Sequence, residues 1–483
     1  MPTPSSSSQV ELATLTDTSG FSGHPRGLTT LFFTEVWERF SYYGMRAVLV
    51  LYMVAPLAEG GLAFDVKTAS SIYGTYTMSV FLTAVPGGLL ADRLLGARLA
   101  VLLGGIIIAC GHFSMIFTSP AFFYTGLVLI SVGTGLLKPN ISTMVGSLYG
   151  ENDPRRDSGF SIFYMGINLG AVLAPLVCGF LAQSQNFKDF IASMGFDPAM
   201  SWHWAFGAAG VGMTLGLIVY VLQRERIAGQ GAKWSRSQRA SDERSQRVNE
   251  PSSQISQSPN SPSPSSPLTT ADWKRVGAIF IFFFFTILFW AGYEQKGASL
   301  NLFAKHLVRT EIFGWTFPSA WLQSLTAFFV ILLAPIFSWL WIRMGERQPS
   351  SPAKFTFGLL FIGLGYVLMV PAAMLTVSGK ISPLWVVGLY FLEVMGEMCL
   401  SPVGLSTVTK LAPAKLLGIM MGVWFLAAAL GNKLAGYLGG FFDASNSGVL
   451  MKLYGGIAVG LLISAAVLAL LTPSIRKLMG KVH

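Results

Sequence analysis

Long apolar stretches recur along the chain, each close to the ~20 residues needed to cross a hydrocarbon core about 30 Å thick. The spacing predicts about twelve membrane helices. The first six cover Leu28 to Pro56, Thr68 to Ala91, Leu99 to Phe117, Phe122 to Leu148, Phe160 to Ala182 and Trp204 to Leu222. The second six cover Val276 to Gln295, Trp321 to Ile342, Phe355 to Leu375, Leu384 to Leu411, Leu416 to Phe442 and Leu450 to Leu471. Many exceed the minimum length, which predicts tilt. Between the two sets, Arg224 to Asp272 is rich in Ser, Gln, Pro and charge and holds the low-complexity run Ser252 to Ser266, so it reads as a disordered linker. The chain thus divides into a disordered tail (1–27), a six-helix bundle (28–223), the linker (224–272), a second six-helix bundle (273–472) and a short tail (473–483).

Composition agrees with a bilayer protein. Only 12% of the 483 residues are charged, against roughly 25% in soluble domains. Cys110, Cys178 and Cys399 sit in apolar runs and read as small buried hydrophobes, with no disulfide or metal framework. The net charge of +10 would suggest nucleic acid in a soluble protein; here the basic residues lie between spans, and no nucleic-acid partner is expected. Arg93 with Arg98, Arg155 with Arg156, the linker, Arg343 with Arg347, Lys410 with Lys415, and Arg476 with Lys477 fall on the side of the N-terminus. An even span count and this bias place both termini in the cytoplasm, in a plasma membrane, with a bacterial inner membrane expected. The Ser- and Thr-rich N-terminal stretch does not read as a signal peptide. One loop, with Lys296, Lys305 and Arg309 after the seventh span, runs against the charge bias.

Two six-span halves joined by a long linker resemble the major facilitator superfamily, which implies an all-α membrane fold with a substrate site near mid-membrane between the halves. Gly87 to Arg98 (GGLLADRLLGAR) resembles that superfamily's loop between spans two and three, with Asp92 able to pair with Arg93 or Arg98.

The first span is the energetic anomaly. A charged residue at a helix centre costs about 2.5 to 3.5 kcal/mol on insertion scales, yet this span holds Glu35, Glu38, Arg39 and Arg46. At helical spacing these four, with Tyr42 and Tyr43, share an arc of roughly 140°, so that face lines protein or water. Glu35 and Arg39 are four residues apart and can pair within the helix, which offsets cost without function; four charges and two phenols exceed what one such pair explains. Other spans hold possible partners: Lys138 in the fourth (GTGLLKPNIS), Glu294 in the seventh (FWAGYEQKG) and Glu397 in the tenth (GEMCLSP). Snorkelling to an interface is the bland reading of Lys138 and Glu294. Together the groups form a near-balanced network whose partners can exchange as two halves rock.

Glu35 to Gly44 (EVWERFSYYG) resembles the ExxERFxYYG signature of the proton-dependent oligopeptide transporter (POT) family. Phe163 to Pro175 (FYMGINLGAVLAP), Gly396 to Ser406 with Thr409 to Pro413, and Trp424 with Phe425 look like that family's motifs in spans five, ten and eleven. The resemblance implies uptake of di- and tripeptides driven by protons, through alternating access. It implies that Arg39 and Lys138 hold the peptide carboxyl end and Glu397 the amino end, with Tyr42, Tyr43, Asn168, Trp290, Trp424 and Phe425 forming backbone and side-chain pockets. Glu35 and Glu38 would carry the proton with Arg39 and Glu294 in the coupling network; Arg46 with Glu294 would be the outer gate pair and Lys138 with Glu397 the inner one. Three positions depart from the family: Phe81 for a tyrosine, Thr326 for an asparagine, and Ala428 for a hydroxylated residue. The two extra helices that many bacterial relatives insert between the halves are not expected, because Arg224 to Asp272 is too polar.

The residue chemistry is coherent with this. A zwitterion needs a cation and an anion, and an arginine fork matches carboxylate geometry. Aromatic walls give contact area at small entropic cost, although Trp290, Trp424 and Phe425 could instead face lipid, and Asn168 could be interhelical glue. Gly212 with Gly216 and Gly436 with Gly440 predict close helix packing. Transport of nitrate, another small anion or a peptide-like compound is the nearest alternative. An enzyme is not expected, since HExxH, GxSxG and P-loop motifs are lacking; a channel would call for rings of like charge. The expected partners are peptides, protons as coupling ion and the lipid bilayer, with no metal, no cofactor and a monomeric state.

Overall fold

The computed structural model describes residues 17–150, 153–227, 268–312 and 314–480. The expected disorder of residues 1–16 and of 228–267, including Ser252 to Ser266, lies outside the described residues.

Among the described residues, twelve long helices account for the architecture. The first half comprises α1 (Arg26–Val54), α2 (Val66–Leu95), α3 (Ala97–Ser114), α4 (Pro120–Ser147), α5 (Arg156–Gln183) and α6 (Ser201–Leu222). The second comprises α7 (Thr270–Leu307), α8 (Ser324–Met344), α9 (Ser351–Leu375), α10 (Leu384–Leu411), α11 (Leu417–Gly439) and α12 (Ser447–Met479). Helix starts carry local signals. Asp65 caps α2 by accepting from Thr68 N–H, Pro120 opens α4, and Thr269 with Asp272 forms a capping box on α7. Among the described residues, eleven helices are long and apolar enough to cross a membrane. The remaining one, α1, is long enough at 29 residues, about 43 Å, but its four interior charges depress its hydropathy.

α1 is the core of the first bundle. It packs against α5 and α6, and every side chain from Ala47 to Met53 is buried. Gly212 and Gly216 permit the approach of α6: a Cβ on Gly212 would lie 2.5 Å from the Phe40 ring, and one on Gly216 3.0 Å from Trp37. In the second bundle α9 packs on α10 and α12, and α7 on α11 and α12.

The halves meet along three lines, all at the face opposite the one that bears the described chain ends. α2 touches α11 where Gly74 and Gly436 bring backbones together; a Cβ on Gly436 would lie 2.5 Å from the Ser70 carbonyl oxygen. α5 meets α8, with Ser324 donating to the Val172 carbonyl (2.8 Å) and the Trp321 indole to the Leu176 carbonyl (2.9 Å). α1 meets the end of α7, where Asn301 donates to the Ala47 carbonyl (2.8 Å). The ends of α4 and α10 on the chain-end face lack such close packing.

Several expectations need correction. The seventh span does not end at Gln295. It breaks after Tyr293 into a 3-10 turn, Glu294–Gly297, and resumes as Ser299–Leu307. The polar residues there are buried because protein satisfies them: Gln295 donates to the Ala435 carbonyl (2.9 Å) and Ser299 to the Gln295 amide oxygen (2.7 Å). Lys296 is therefore no loop residue but a buried one, which removes it from the apparent exception to the charge bias. α12 continues to Met479 rather than stopping at Leu471. Residues 17–25 are not a loose tail: Arg155 donates to the carbonyls of Asp17 (3.1 Å) and Gly23 (3.0 Å), and His24 contacts Tyr149. Asp92 is exposed and pairs with neither Arg93 nor Arg98; a π-turn over Ala91–Leu95 and the left-handed Gly96 (φ 77) re-aim that loop. Cys178 and Cys399 are buried, whereas Cys110 is exposed on α3.

Candidate functional site

The charged face of α1 is assembled as its spacing suggests. Arg39 lies 3.2 Å from Glu35 one turn back and also forms an ion pair with the adjacent Glu38; all three are buried. Two carboxylates thus share one guanidinium, and one oxygen of Glu35 accepts no hydrogen bond. Further along, Arg46 pairs with Glu294 at the break in α7, and the Tyr73 hydroxyl accepts its Nε–H at 2.7 Å. Tyr42 packs under both guanidiniums, with centroid distances of 5.2 Å to Arg39 and 5.8 Å to Arg46, and Tyr43 lies 5.7 Å from Arg46.

This face borders a cavity of about 240 Å³ between the halves. The first half contributes Arg39, Tyr42, Tyr43, Arg46, Lys138 and Asn168; the second contributes Trp290, Glu294, Glu397, Trp424 and Phe425. All the residues singled out in the sequence line it except Glu35 and Glu38, which stand behind Arg39. Trp290, Trp424, Phe425, Lys138 and Glu294 all border this cavity. Asn168 donates to the Tyr164 carbonyl of its own helix (3.0 Å) rather than across helices, so it is not interhelical glue.

Lys138 is on α4 beside the internal Pro139, with its ammonium 4.7 Å from the Phe81 ring centroid. It forms no ion pair with Glu397 in this arrangement. Glu397, on α10, instead accepts a hydrogen bond from the Tyr293 hydroxyl. Trp424 seats over Gly404, where any Cβ would collide with the indole at 2.0 Å. Trp290 stands edge-on to Tyr293 with centroids 5.1 Å apart. Phe81, Thr326 and Ala428 all border the cavity, and the Thr326 hydroxyl is spent on the Gln323 carbonyl (2.9 Å). Their departure from the family pattern therefore removes polar groups from the pocket wall itself.

Several residues not expected in the site complete it. Tyr164, Tyr293, Lys296 and Gln323 line the cavity, Tyr73 supports Arg46, and Glu393 is fully buried one turn from Glu397. For Glu393 the signal was available, since it too is an acid inside an apolar span. Tyr73 carries no such mark. Among the described residues no cluster of three or more His, Cys, Asp or Glu is arranged to hold a metal.

Such a cavity can hold a small molecule bearing opposite charges, with a cation-bearing wall on one half and an acid-bearing wall on the other. A family model described as PTR2, the POT family, matches residues 98–233 and 265–455. The peptide transporter YePEPT of Yersinia enterocolitica is 38% identical over 97% of this chain and 98% of its own length. A di-/tripeptide transporter of Lactococcus lactis is 35% identical over 96% of this chain and 98% of its own. A crystal structure of a mutant of peptide transporter POT in complex with alafosfalin superposes with a TM-score of 0.83, at 36% identity, covering 99% of this chain and all of that one.

Proposed function

The chain belongs to the POT family of membrane transporters, and from that premise we propose that it imports di- and tripeptides together with protons by alternating access. The observation that carries the reading is the cavity flanked by Arg39 and Lys138 on one half and Glu397 on the other. A peptide zwitterion matches this polarity. The carboxyl end would lie against Arg39 and Lys138 and the amino end against Glu397, with Tyr42, Tyr43 and Asn168 along the backbone. A volume of about 240 Å³ lies just under the roughly 300–1,000 Å³ of drug-sized pockets, which suits two or three residues. Trp290, Trp424 and Phe425 supply surface for varied side chains.

Proton coupling rests on Glu35, Glu38 and Arg39. Arg39 is held by two carboxylates; a substrate carboxylate drawn to the same guanidinium competes with them, and protonating a glutamate frees the guanidinium to accept it. Binding of proton and of peptide therefore favour each other. In the arrangement described, the Arg46–Glu294 pair closes the face opposite the chain ends, while Lys138 and Glu397 stand apart at the other. We read this as the inward-facing state, with the chain-end face cytoplasmic on the strength of its arginines and lysines. Rocking the halves would exchange the closed pair for the open one.

Because Trp290 and Trp424 border the cavity, intrinsic fluorescence reports occupancy. Titration of the purified protein with dialanine is expected to saturate, and N-acetyl-dialanine, dialaninamide and nitrate are expected to bind at least ~10-fold more weakly, the loss of about 1.4 kcal/mol from one missing charge contact. Equal binding of nitrate and dialanine would overturn the zwitterion reading.

A further inference from the structure

Among the described residues, Glu393 is a fully buried acid with no well-formed hydrogen bond on either carboxyl oxygen. It lies on α10 one turn, about 6 Å, from Glu397 on the side away from the chain-end face. Tyr366 of α9 lies against it, but that hydroxyl donates to the Gly292 carbonyl (2.8 Å). The other groups facing it are Lys296, Glu294 and Tyr293 from α7, and Tyr390 and Glu397 from α10, with Tyr454 of α12 stacked on Tyr366 at 6.1 Å.

Charge balance makes this isolation informative. Around the cavity stand five carboxylates (Glu35, Glu38, Glu294, Glu393 and Glu397) and four cations (Arg39, Arg46, Lys138 and Lys296). Arg46 is committed to Glu294, so the second half leaves Lys296 alone to face both Glu393 and Glu397. One acid is in surplus. A zwitterionic peptide brings no net charge and cannot cancel it, and an unpaired carboxylate away from water is strongly disfavoured. A single proton resolves the imbalance, and Glu393 is the carboxyl of the five on which neither oxygen receives a well-formed hydrogen bond.

We propose that Glu393 is a second proton-carrying site of the cycle, in addition to the α1 carboxylates. This rests on the proton-coupled reading above. When the peptide's amino group leaves Glu397, the O–H bond of Glu393 breaks and its proton passes to a Glu397 carboxylate oxygen, and from there to cavity water. The Lys296 ammonium then neutralises the carboxylate left on Glu393, while Glu397, half-buried on the cavity wall, is hydrated by cavity water until the site reloads. The site reloads by the reverse transfer when the cavity opens at the other face.

The test uses the full chain in proteoliposomes and reads the ratio of protons to dialanine from the membrane potential at which net flux vanishes under fixed pH and peptide gradients. For Glu393→Gln the ratio is expected to fall by one from a parent value of two or more, while Glu393→Asp keeps the parent ratio. An unchanged ratio in Glu393→Gln overturns the proposal. A second measurement does not depend on transport: the infrared carbonyl band of a buried carboxylic acid should be present in the parent, displaced in Glu393→Asp and missing in Glu393→Gln, and a band indifferent to both substitutions overturns it. A parent that never concentrates dialanine counts against the transport reading, and the infrared band then still decides the question for Glu393.

Discussion

The Arg46 guanidinium and the Glu294 carboxylate form an ion pair across the two halves, both side chains buried, at the point where α7 loses its helical hydrogen bonds. The broken helix leaves backbone free for protein contacts while placing the acid against α1. The pair ties the first helix of one bundle to the first helix of the other.

Removing one partner leaves a buried charge uncompensated, at a cost of about 3–5 kcal/mol. Glu294→Gln is therefore expected to lower the melting temperature in detergent and to reduce gradient-driven uptake by at least ~100-fold. The double substitution Arg46→Ala with Glu294→Gln should recover most of the melting temperature without recovering uptake. Additive losses of stability in the double variant would show that the two residues do not act as a pair.

The contact of α2 with α11 depends on two glycines. A Cβ on Gly436 would lie 2.5 Å from the Ser70 carbonyl oxygen and 2.6 Å from the Gly74 Cα, both backbone atoms that cannot yield. Gly436→Ala should cost about 1–3 kcal/mol through overpacking and slow uptake, because the face opposite the chain ends can no longer close fully. Gly456→Ala, on α12 where nothing lies within 4 Å, should leave both the melting temperature and uptake unchanged. Equal effects of the two changes would contradict this packing account.

Trp424 occupies space that only Gly404 leaves free, and it forms part of the wall for side chains. Trp424→Ala should weaken competition by dipeptides with aromatic side chains about tenfold, the loss of roughly 1–1.5 kcal/mol of aromatic contact, while dialanine changes less than about threefold. Competition assays against labelled dialanine check this, and a uniform loss for all peptides would assign Trp424 to the peptide backbone instead.

Outside the membrane, His24 is wedged between Tyr149 (Nδ1 to hydroxyl, 2.9 Å) and Ser158 (Nε2 to hydroxyl, 3.3 Å). Burial, followed by the nearby Arg155 guanidinium, pushes its pKa below the usual 6.5. The released segment then binds protons more readily than the docked one, so docking of residues 17–25 is complete above pH 6.5 and is lost as pH falls through the lowered value. Amide exchange in residues 17–25 should quicken between pH 7.5 and 5.5 beyond the intrinsic rate, and His24→Gln should remove that pH response. A response that survives the substitution would place the titrating group elsewhere.

Much of this was legible from sequence because bilayer insertion punishes charge so heavily. Glu38, Arg39, Lys138 and Glu397 announce themselves by standing in apolar spans, and the structure brings them to one place. What hydropathy could not show is polar sequence satisfied by protein. The continuation of α7 through Gln295, Ser299 and Asn301 is paired with backbone of α11, its own helix and α1, and so reads as a loop. Lys296 was hidden by the same effect. Glu393 was open to the argument that selected Glu397, but no motif drew attention to it. The docking of Asp17 and His24 depends on Arg155 and Tyr149, more than a hundred residues away, which local composition cannot register.

The central claim is that one cavity couples a peptide zwitterion to a proton through the carboxylates behind Arg39. It is tested most directly by uptake of labelled dialanine into proteoliposomes whose interior is made alkaline, comparing the parent with Glu38→Gln. The account predicts that the parent accumulates dialanine above the external concentration and loses the excess when a protonophore is added, whereas Glu38→Gln exchanges internal for external dialanine but does not concentrate it. Accumulation by Glu38→Gln equal to that of the parent, or uptake by the parent indifferent to the pH gradient, would contradict it.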